Sequence, residues 1–319
     1  MDKLVNRGWL SCNDLLEAFR SKEARPYGAQ KLLFSGVGTR DVYNIAAPFE
    51  DEGEMVLAGR VEDRDSEQSE IYFFAERGGN WVAREGAPVF RLQDPFFTRI
   101  SGELVFGGVE TFPHPEKAGK LSWRTVLYRG SCVADLKPFF SGPDQMKDLR
   151  LVEQQDGTIG VFTRPQGEKG GRGKIGYTQI DRLEDLSQEI INQAPLLEGQ
   201  FSEEEWGGGN EIHLLTNGFL GVLGHIARFD EHGDRHYYPM IFVFDPATRT
   251  YSNLEIIAER GNFVDGPAKR PDLADVVFSG GLVRKADGTA DLYAGTSDAE
   301  AQKVTISDPF SAFEKKVNK

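Results

Sequence analysis

Residues 275–298 read DVVFSGGLVRKADGTADLYAGTSD. An apolar run opened by Asp275, a turn at Ala286-Asp287-Gly288 and a second apolar run from Ala290 give strand, turn, strand. The same opening, an acid at the head of an apolar stretch, recurs up the chain at Glu211 (EIHLLT), Asp148 (DLRLVE), Asp94 (DPFFTRI) and Asp41 (DVYNIAAPF). From Asp41 onward these acids stand about 53, 54, 63 and 64 residues apart, slightly beyond the roughly 40–50 of propeller repeats. With one four-stranded blade per interval, each acid starts an innermost strand, and all such strands begin at one face of the axial channel. Five acids from distant sequence then converge on one funnel.

The intervals hold the strands such blades need. MVLAGRVE (55–62), EIYFFAER (70–77) and NWVAREG (80–86) fill the first. ELVFGGVETF (103–112) and LSWRTVLYRG (121–130) fill the second, and TIGVFTRP (158–165) and KIGYTQI (174–180) the third. FLGVLGHIARF (219–229), YYPMIFVFD (237–245) and YSNLEIIAE (251–259) fill the fourth. KLLFSGVG (31–38) reads as a strand ahead of the first repeat and QKVTISD (302–308) as a late strand of the last, so either can complete a shared closing blade. The expectation is an all-β chain: an extension (1–30) with a short helix over 13–23 capped by Asn13, one five-bladed β-propeller (31–310) and a tail (311–319). Pattern alone also leaves a β-sandwich with additions open. LEDLSQEIINQ (183–193) reads equally as a strand edge or a helical turn, and GEKGGRGK (167–174) as a hairpin tip over the funnel.

The 319 residues suffice for a large core, and 36 glycines with 22 phenylalanines favour sheets and turns over a helical bundle. A net charge of −13 argues against a nucleic-acid partner, because phosphate backbones are bound by clustered Lys and Arg. Cys12 and Cys132 make neither a disulfide framework nor a zinc spacing. With no signal-like apolar start and no run of about 18 apolar residues, the expected location is cytoplasmic, with no membrane contact. Oligomeric state is not readable.

Four stretches carry a resemblance. LQDPFFTRISGELVFGG resembles the acid-plus-proline opening of blade two in five-bladed glycosidases, including glycoside hydrolase families 43 and 130. KDLRLVEQQDGTIGVFTRP, GGGNEIHLLTNGFLGVLGHIA and the closing DVVFSGGLVRKADGTADLYAGTSD resemble family 130's Lys-Asp opening, its glycine-rich segment ending in Gly-His and its last blade. The nearest resemblance is to the propeller family known as domain of unknown function 1861. One departure stands out: family 130's Glu-Asp-Pro-Arg is replaced by Gln93-Asp94-Pro95-Phe96.

The resemblance implies a glycosidase-like enzyme that cleaves a glycosidic bond of an oligosaccharide or small glycoside, by hydrolysis or phosphorolysis and with inversion. Asp94 is the expected general acid and Glu211 its opposing base, since sugar chemistry protonates a leaving oxygen with one carboxyl and uses a second opposite it. Asp41, Asp148 and Asp275 are expected to accept sugar hydroxyls, with Asn44, Arg60 and Glu62 as a first-blade sugar-contacting set. Lys147, Arg164 and His225 with Arg60 can form an anion pocket. Trp206, beside Asn210 and Glu211, is the expected stacking platform. No cofactor is demanded, phosphate is a possible co-substrate, and acids gathered from several blades offer the oxygen ligands that Ca²⁺ takes. The alternatives are a non-catalytic carbohydrate-binding propeller and a protein-interaction propeller with an exposed apolar patch.

Overall fold

Apolar strands separated by short polar turns form antiparallel meanders throughout the computed structural model, which describes residues 4, 6 and 8–315. Blade one runs outward from Asp41–Tyr43 through Glu54–Glu62 and Glu70–Arg77 to Asn80–Ala83. Blade two comprises Gln93–Ile100, Glu103–Pro113, Leu121–Gly130 and Lys137–Ser141, and blade three Arg150–Glu153, Ile159–Thr163 and Gly176–Ile180. Blade four is built on Trp206–Leu214, Leu220–Phe229 and Arg235–Asp245, and blade five on Asp275–Arg284, Thr289–Thr296 and Glu300–Ser307.

The amino-terminal segment closes the ring. Tyr27–Lys31 lies antiparallel to Glu300–Ser307 and supplies blade five with its fourth strand. The chain then passes to the outer edge of blade one, where Phe34–Ser35 pairs parallel with Asn80–Ala83. The stretch predicted as one strand over 31–38 is therefore divided between two blades.

Closure is also visible in the packing. Buried side chains fall into five clusters, and each lies between neighbouring blades. Phe73 and Val56 of blade one meet Phe106 and Leu104 of blade two. Val105 and Leu127 meet Leu151 and Val161 of blade three, and Phe162 and Val152 meet Phe242 and Val222 of blade four. Ile241 and Leu223 meet Leu292 and Val277 of blade five, while Tyr293 and Ala301 return to Leu57 and Phe74 of blade one. The protein is an all-β five-bladed propeller with a short amino-terminal helix. Burying both faces of every sheet between its neighbours is why the strands read as nearly continuous apolar runs.

The helix spans Cys12–Arg20, and Leu15, Leu16 and Phe19 pack on the cluster between blades three and four. Its cap is Ser11 rather than Asn13: Ser11 accepts from the Asp14 backbone N–H while Asp14 accepts from Ser11, a reciprocal pair that Asn13 has no partner to make. Residues 183–193 resolve as a 3-10 turn, Leu183–Asp185, followed by a helix, Gln188–Gln193, capped by Ser187. The loop after blade three's second strand holds one helical turn, Gly167–Gly170.

Candidate functional site

At the funnel the backbone departs from extended geometry in a repeated way. Asn44 (φ 43°), Asp94 (φ 51°), Asp148 (φ 55°) and Asp298 (φ 50°) all occupy the left-handed region, which L-residues other than Asn and Asp rarely enter. All four line a single cavity of about 510 Å³. A bulge between Gln93 and Phe96 accompanies the turn-in at Asp94, and a bulge of this kind re-aims the side chain it carries.

Two carboxyls of unlike character meet on one wall. Asp94 Oδ1 accepts from Asn44 Nδ2 at 2.9 Å and from Arg60 Nη1 at 3.3 Å. Burial pushes the Asp94 carboxyl up, but the charges of Arg60 and Lys147 and the two hydrogen bonds outweigh it and hold it below the ordinary carboxylate range. Asp298 has no hydrogen bond or ion pair among the described residues. Burial raises its pKa, Arg60 partly offsets that, and the neighbouring Asp94 charge adds to the rise. Behind this pair Arg60 is itself fixed by Glu62 at 2.8 Å, and Glu62 is ion-paired to Lys269.

The rest of the lining includes cations and hydrogen-bond donors. Arg164 donates from Nε to the Gly207 carbonyl at 2.9 Å and reaches Asp148 Oδ2 from Nη1 at 3.3 Å. The glycine run beside it is a spatial requirement: a Cβ on Gly208 would stand 2.6 Å from Asp148 Oδ2 and 2.8 Å from Arg164 Cδ. Lys147 makes no hydrogen bond or ion pair among the described residues, and its Nζ lies 5.7 Å from the Trp123 ring centroid. Trp123 Nε1 is a buried donor without a partner. His225 is held neutral, its pKa pushed down to about 4 by burial and by Arg164 and Arg150 against the opposing pull of Asp148. Its ring stacks on Tyr237 at 5.6 Å, and Tyr237 Oη accepts from Trp206 Nε1 at 3.0 Å.

The His225 tautomer follows from its neighbours. His225 Nδ1 lies 2.9 Å from the Asn210 side-chain amide, which also contacts Ser279 Oγ. Ser279 already donates its hydrogen to the Gly224 carbonyl at 2.7 Å, and Asn210 Nδ2 as placed has no partner. Turning the amide gives Nδ2 two acceptors, Ser279 Oγ and His225 Nδ1, which leaves the imidazole proton on Nε2, the nitrogen 4.0 Å from Asp148 Oδ2.

Of the residues predicted for the site, Asn44, Arg60, Asp94, Lys147, Asp148, Arg164, Trp206 and His225 line the cavity. Glu62 and Asn210 lie behind it, supporting Arg60 and His225. Glu211 is outside the lining, a correction to the expected opposing base. Asn210 is the extra residue of a bulge between Gly209 and Glu211, so alternation carries Glu211 to the face where it accepts from His213 Nε2 at 2.8 Å and from the Leu282 backbone at 2.7 Å. Asp41 and Asp275 are also outside. Asp41 is ion-paired to Arg64, and Asp275 is held by His236 at 2.6 Å and Tyr238 at 2.6 Å, where blades four and five touch in parallel register. Asp298 was missed, although it closes the quoted YAGTSD stretch, in the turn after the strand; Tyr237 and Arg172 were likewise missed as cavity residues.

No group of three or more His, Cys, Asp or Glu among the described residues is placed to hold a metal ion, so the Ca²⁺ expectation finds no ligand set. The acids that would have supplied it are each taken by an arginine or histidine, or stand alone as Asp298 does. No helix of the described residues is long and apolar enough to cross a membrane.

Residues 18–312 match the family described as protein of unknown function DUF1861. The chain belongs to that family. It is similar to a mannose phosphorylase from Leishmania mexicana, solved in complex with phosphate ion, at 36% identity over 94% of each chain with a TM-score of 0.87. It is also similar to a GDP-Man-dependent mannosyltransferase from the same organism, at 33% identity over 95% of this chain and 96% of that one, TM-score 0.85. A beta-1,2-mannobiose phosphorylase from Listeria innocua shares the fold at 14% identity, covering 93% of this chain and 100% of that one, TM-score 0.63. No curated protein matches the sequence.

Proposed function

We propose that this DUF1861 member is a mannoside phosphorylase, transferring a mannosyl unit between a sugar oxygen and inorganic phosphate. The observation that carries the reading is the juxtaposition, in one cavity, of the Asp94–Asp298 carboxyl pair with Lys147, a cation that has no anion of its own among the described residues. The phosphate-bound mannose phosphorylase, 36% identical, supports it.

Phosphorolysis needs one proton and one anion site, not two opposed carboxyls of which one activates water. That explains how the cavity works without Glu211. Phosphate sits between Lys147, Arg164 and the His225 Nε2–H, with charge-assisted hydrogen bonds from the two cations. A phosphate oxygen attacks the anomeric carbon, the glycosidic C–O bond breaks, and the leaving oxygen takes a proton from the Asp94–Asp298 couple. The products are a sugar 1-phosphate and a free hydroxyl, and a single displacement inverts the anomeric centre.

The proton is a property of the pair, because two interacting carboxyls titrate together. Burial and the Asp94 charge raise the Asp298 pKa while Asp94 is held below the ordinary range, so Asp298 is the member of the couple whose surroundings disfavour its charge. Phosphate bound at Lys147 neutralises one of the two cations that keep Asp94 ionised, so co-substrate binding raises the affinity of the couple for its proton.

Incubation with mannose oligosaccharides, with and without phosphate, tests this. Mannose 1-phosphate should form only when phosphate is present. Equal release of free mannose without phosphate would make the protein a hydrolase, and binding without any product would select the carbohydrate-binding propeller.

A further inference from the structure

Both bulges that shape the site rest against one buried guanidinium outside the cavity lining. Arg150 opens blade three's inner strand and is 4% exposed. Its guanidinium carbon stands 3.7 Å from the centroid of the Phe96 ring, in the Gln93–Phe96 bulge that carries Asp94. That ring is itself held in place, since a Cβ on Gly107 would stand 2.3 Å from Phe96 Cζ. Arg150 Nε donates to the Asn210 carbonyl at 2.6 Å, in the Gly209–Glu211 bulge, and the Asn210 side-chain amide contacts His225. Nη1 donates to the Leu149 carbonyl at 3.0 Å. One side chain of blade three thus joins the bulged segments of blades two and four.

The charge of Arg150 is only partly balanced. Among the described residues the carboxylate within ion-pair reach is Asp148, whose Oδ1 lies 3.7 Å from Nη2, while Asp148 Oδ2 faces Arg164 at 3.3 Å. Two guanidiniums share one carboxylate, so one positive charge is left over close to Lys147. Burial pulls the Arg150 pKa down to about 10 against the opposing effect of Asp148 and Asp94, and the side chain is still a cation at neutral pH. A buried cation without a full counter-charge is costly until an anion balances it.

We propose that Arg150 is a positioning residue for phosphorolysis: its fork holds the two bulges in register, and its surplus charge, acting from behind Asp148 and Arg164, is balanced by the bound phosphate. This rests on the phosphate reading of the cavity. A lysine carries the charge without the planar fork, and a methionine carries neither, which separates the two roles.

Calorimetric titration with inorganic phosphate, initial rates of phosphorolysis of a mannose oligosaccharide and an NMR titration of His225, all on the intact protein, test this. Arg150→Met should weaken phosphate binding about tenfold or more and move the His225 titration upward, because the Arg150 charge helps to keep that ring neutral. Arg150→Lys should bind phosphate within about threefold of the parent while kcat falls about tenfold, since the charge remains and the clamp does not. Should Arg150→Met fail to fold, the lysine variant decides by the presence or absence of that split between affinity and kcat. Folded variants that bind phosphate and turn over as the parent does, or equal losses in both with the His225 titration unmoved, overturn the proposal and leave Arg150 a packing residue. Absence of phosphate binding by the parent itself overturns the phosphate reading, and this inference with it.

Discussion

At the scale of single residues, the cavity separates carboxylates that chemistry requires from those that structure requires. Asp94→Asn keeps the Asn44 and Arg60 neighbourhood but removes the titratable oxygen, so turnover should fall by about 10²–10⁴-fold while the circular dichroism spectrum is unchanged. Glu211→Gln should leave turnover within about threefold and instead lower the melting temperature, because Glu211 accepts from the Leu282 backbone N–H and so ties blade four to blade five. Asp298 makes a prediction of opposite sign. Its folded-state pKa is raised, so the stability it contributes is present below the ordinary carboxylate value and is lost as pH rises through the raised one. Asp298→Asn, which tolerates the left-handed backbone, should therefore raise the melting temperature at pH 7 relative to the parent, with no such gain at pH 3, while abolishing phosphorolysis. A melting temperature lowered equally at both pH values would show that Asp298 is a structural group.

At the scale of elements, strand openings were legible in the sequence and side-chain aim was not. The acid-led apolar runs located the start of the inner strand in four blades, because a propeller's period and the polar-to-apolar switch are local signals; in blade four the strand starts at Trp206, five residues before Glu211. Whether the leading acid enters the funnel depends on a left-handed residue or a bulge, and neither has a fixed spelling. Asp94 and Asp148 turn inward, while Asp41 and Asp275, which lead their strands in the same way, are captured by Arg64 and by His236 and Tyr238. In blade four, one extra residue, Asn210, carried Glu211 out of the site and placed the Asn amide against His225. Asp298 escaped notice because it lies in the turn between two strands rather than at the start of one. The Gly207–Gly209 run was legible as unusual; the physical reason at Gly208 is its close approach to Asp148 and Arg164, and at Gly207 to the His225 carbonyl and Phe201. Gly208→Ala should thus weaken phosphate binding by about tenfold or more, measured by titration, since its Cβ would displace the Arg164 side chain.

At the scale of the whole molecule, function follows from closure. The five apolar clusters join blade one to two, two to three, three to four, four to five and five back to one, and the strand Tyr27–Lys31 fastens the last junction. Only such a ring brings Asn44, Asp94, Asp148, His225 and Asp298, drawn from all five blades, to one cavity. The ring also gives a chain of net charge −13 an inward-facing pair of cations, Lys147 and Arg164, at the proposed phosphate site, while most of its acids lie outside the cavity. The most direct measurement is the reverse reaction: phosphate released from mannose 1-phosphate, followed with and without mannose as acceptor. The account predicts release that requires the acceptor, builds a mannoside in equal amount and disappears in Asp94→Asn. Release at the same rate without acceptor, or none from a protein that binds both sugars, would contradict it.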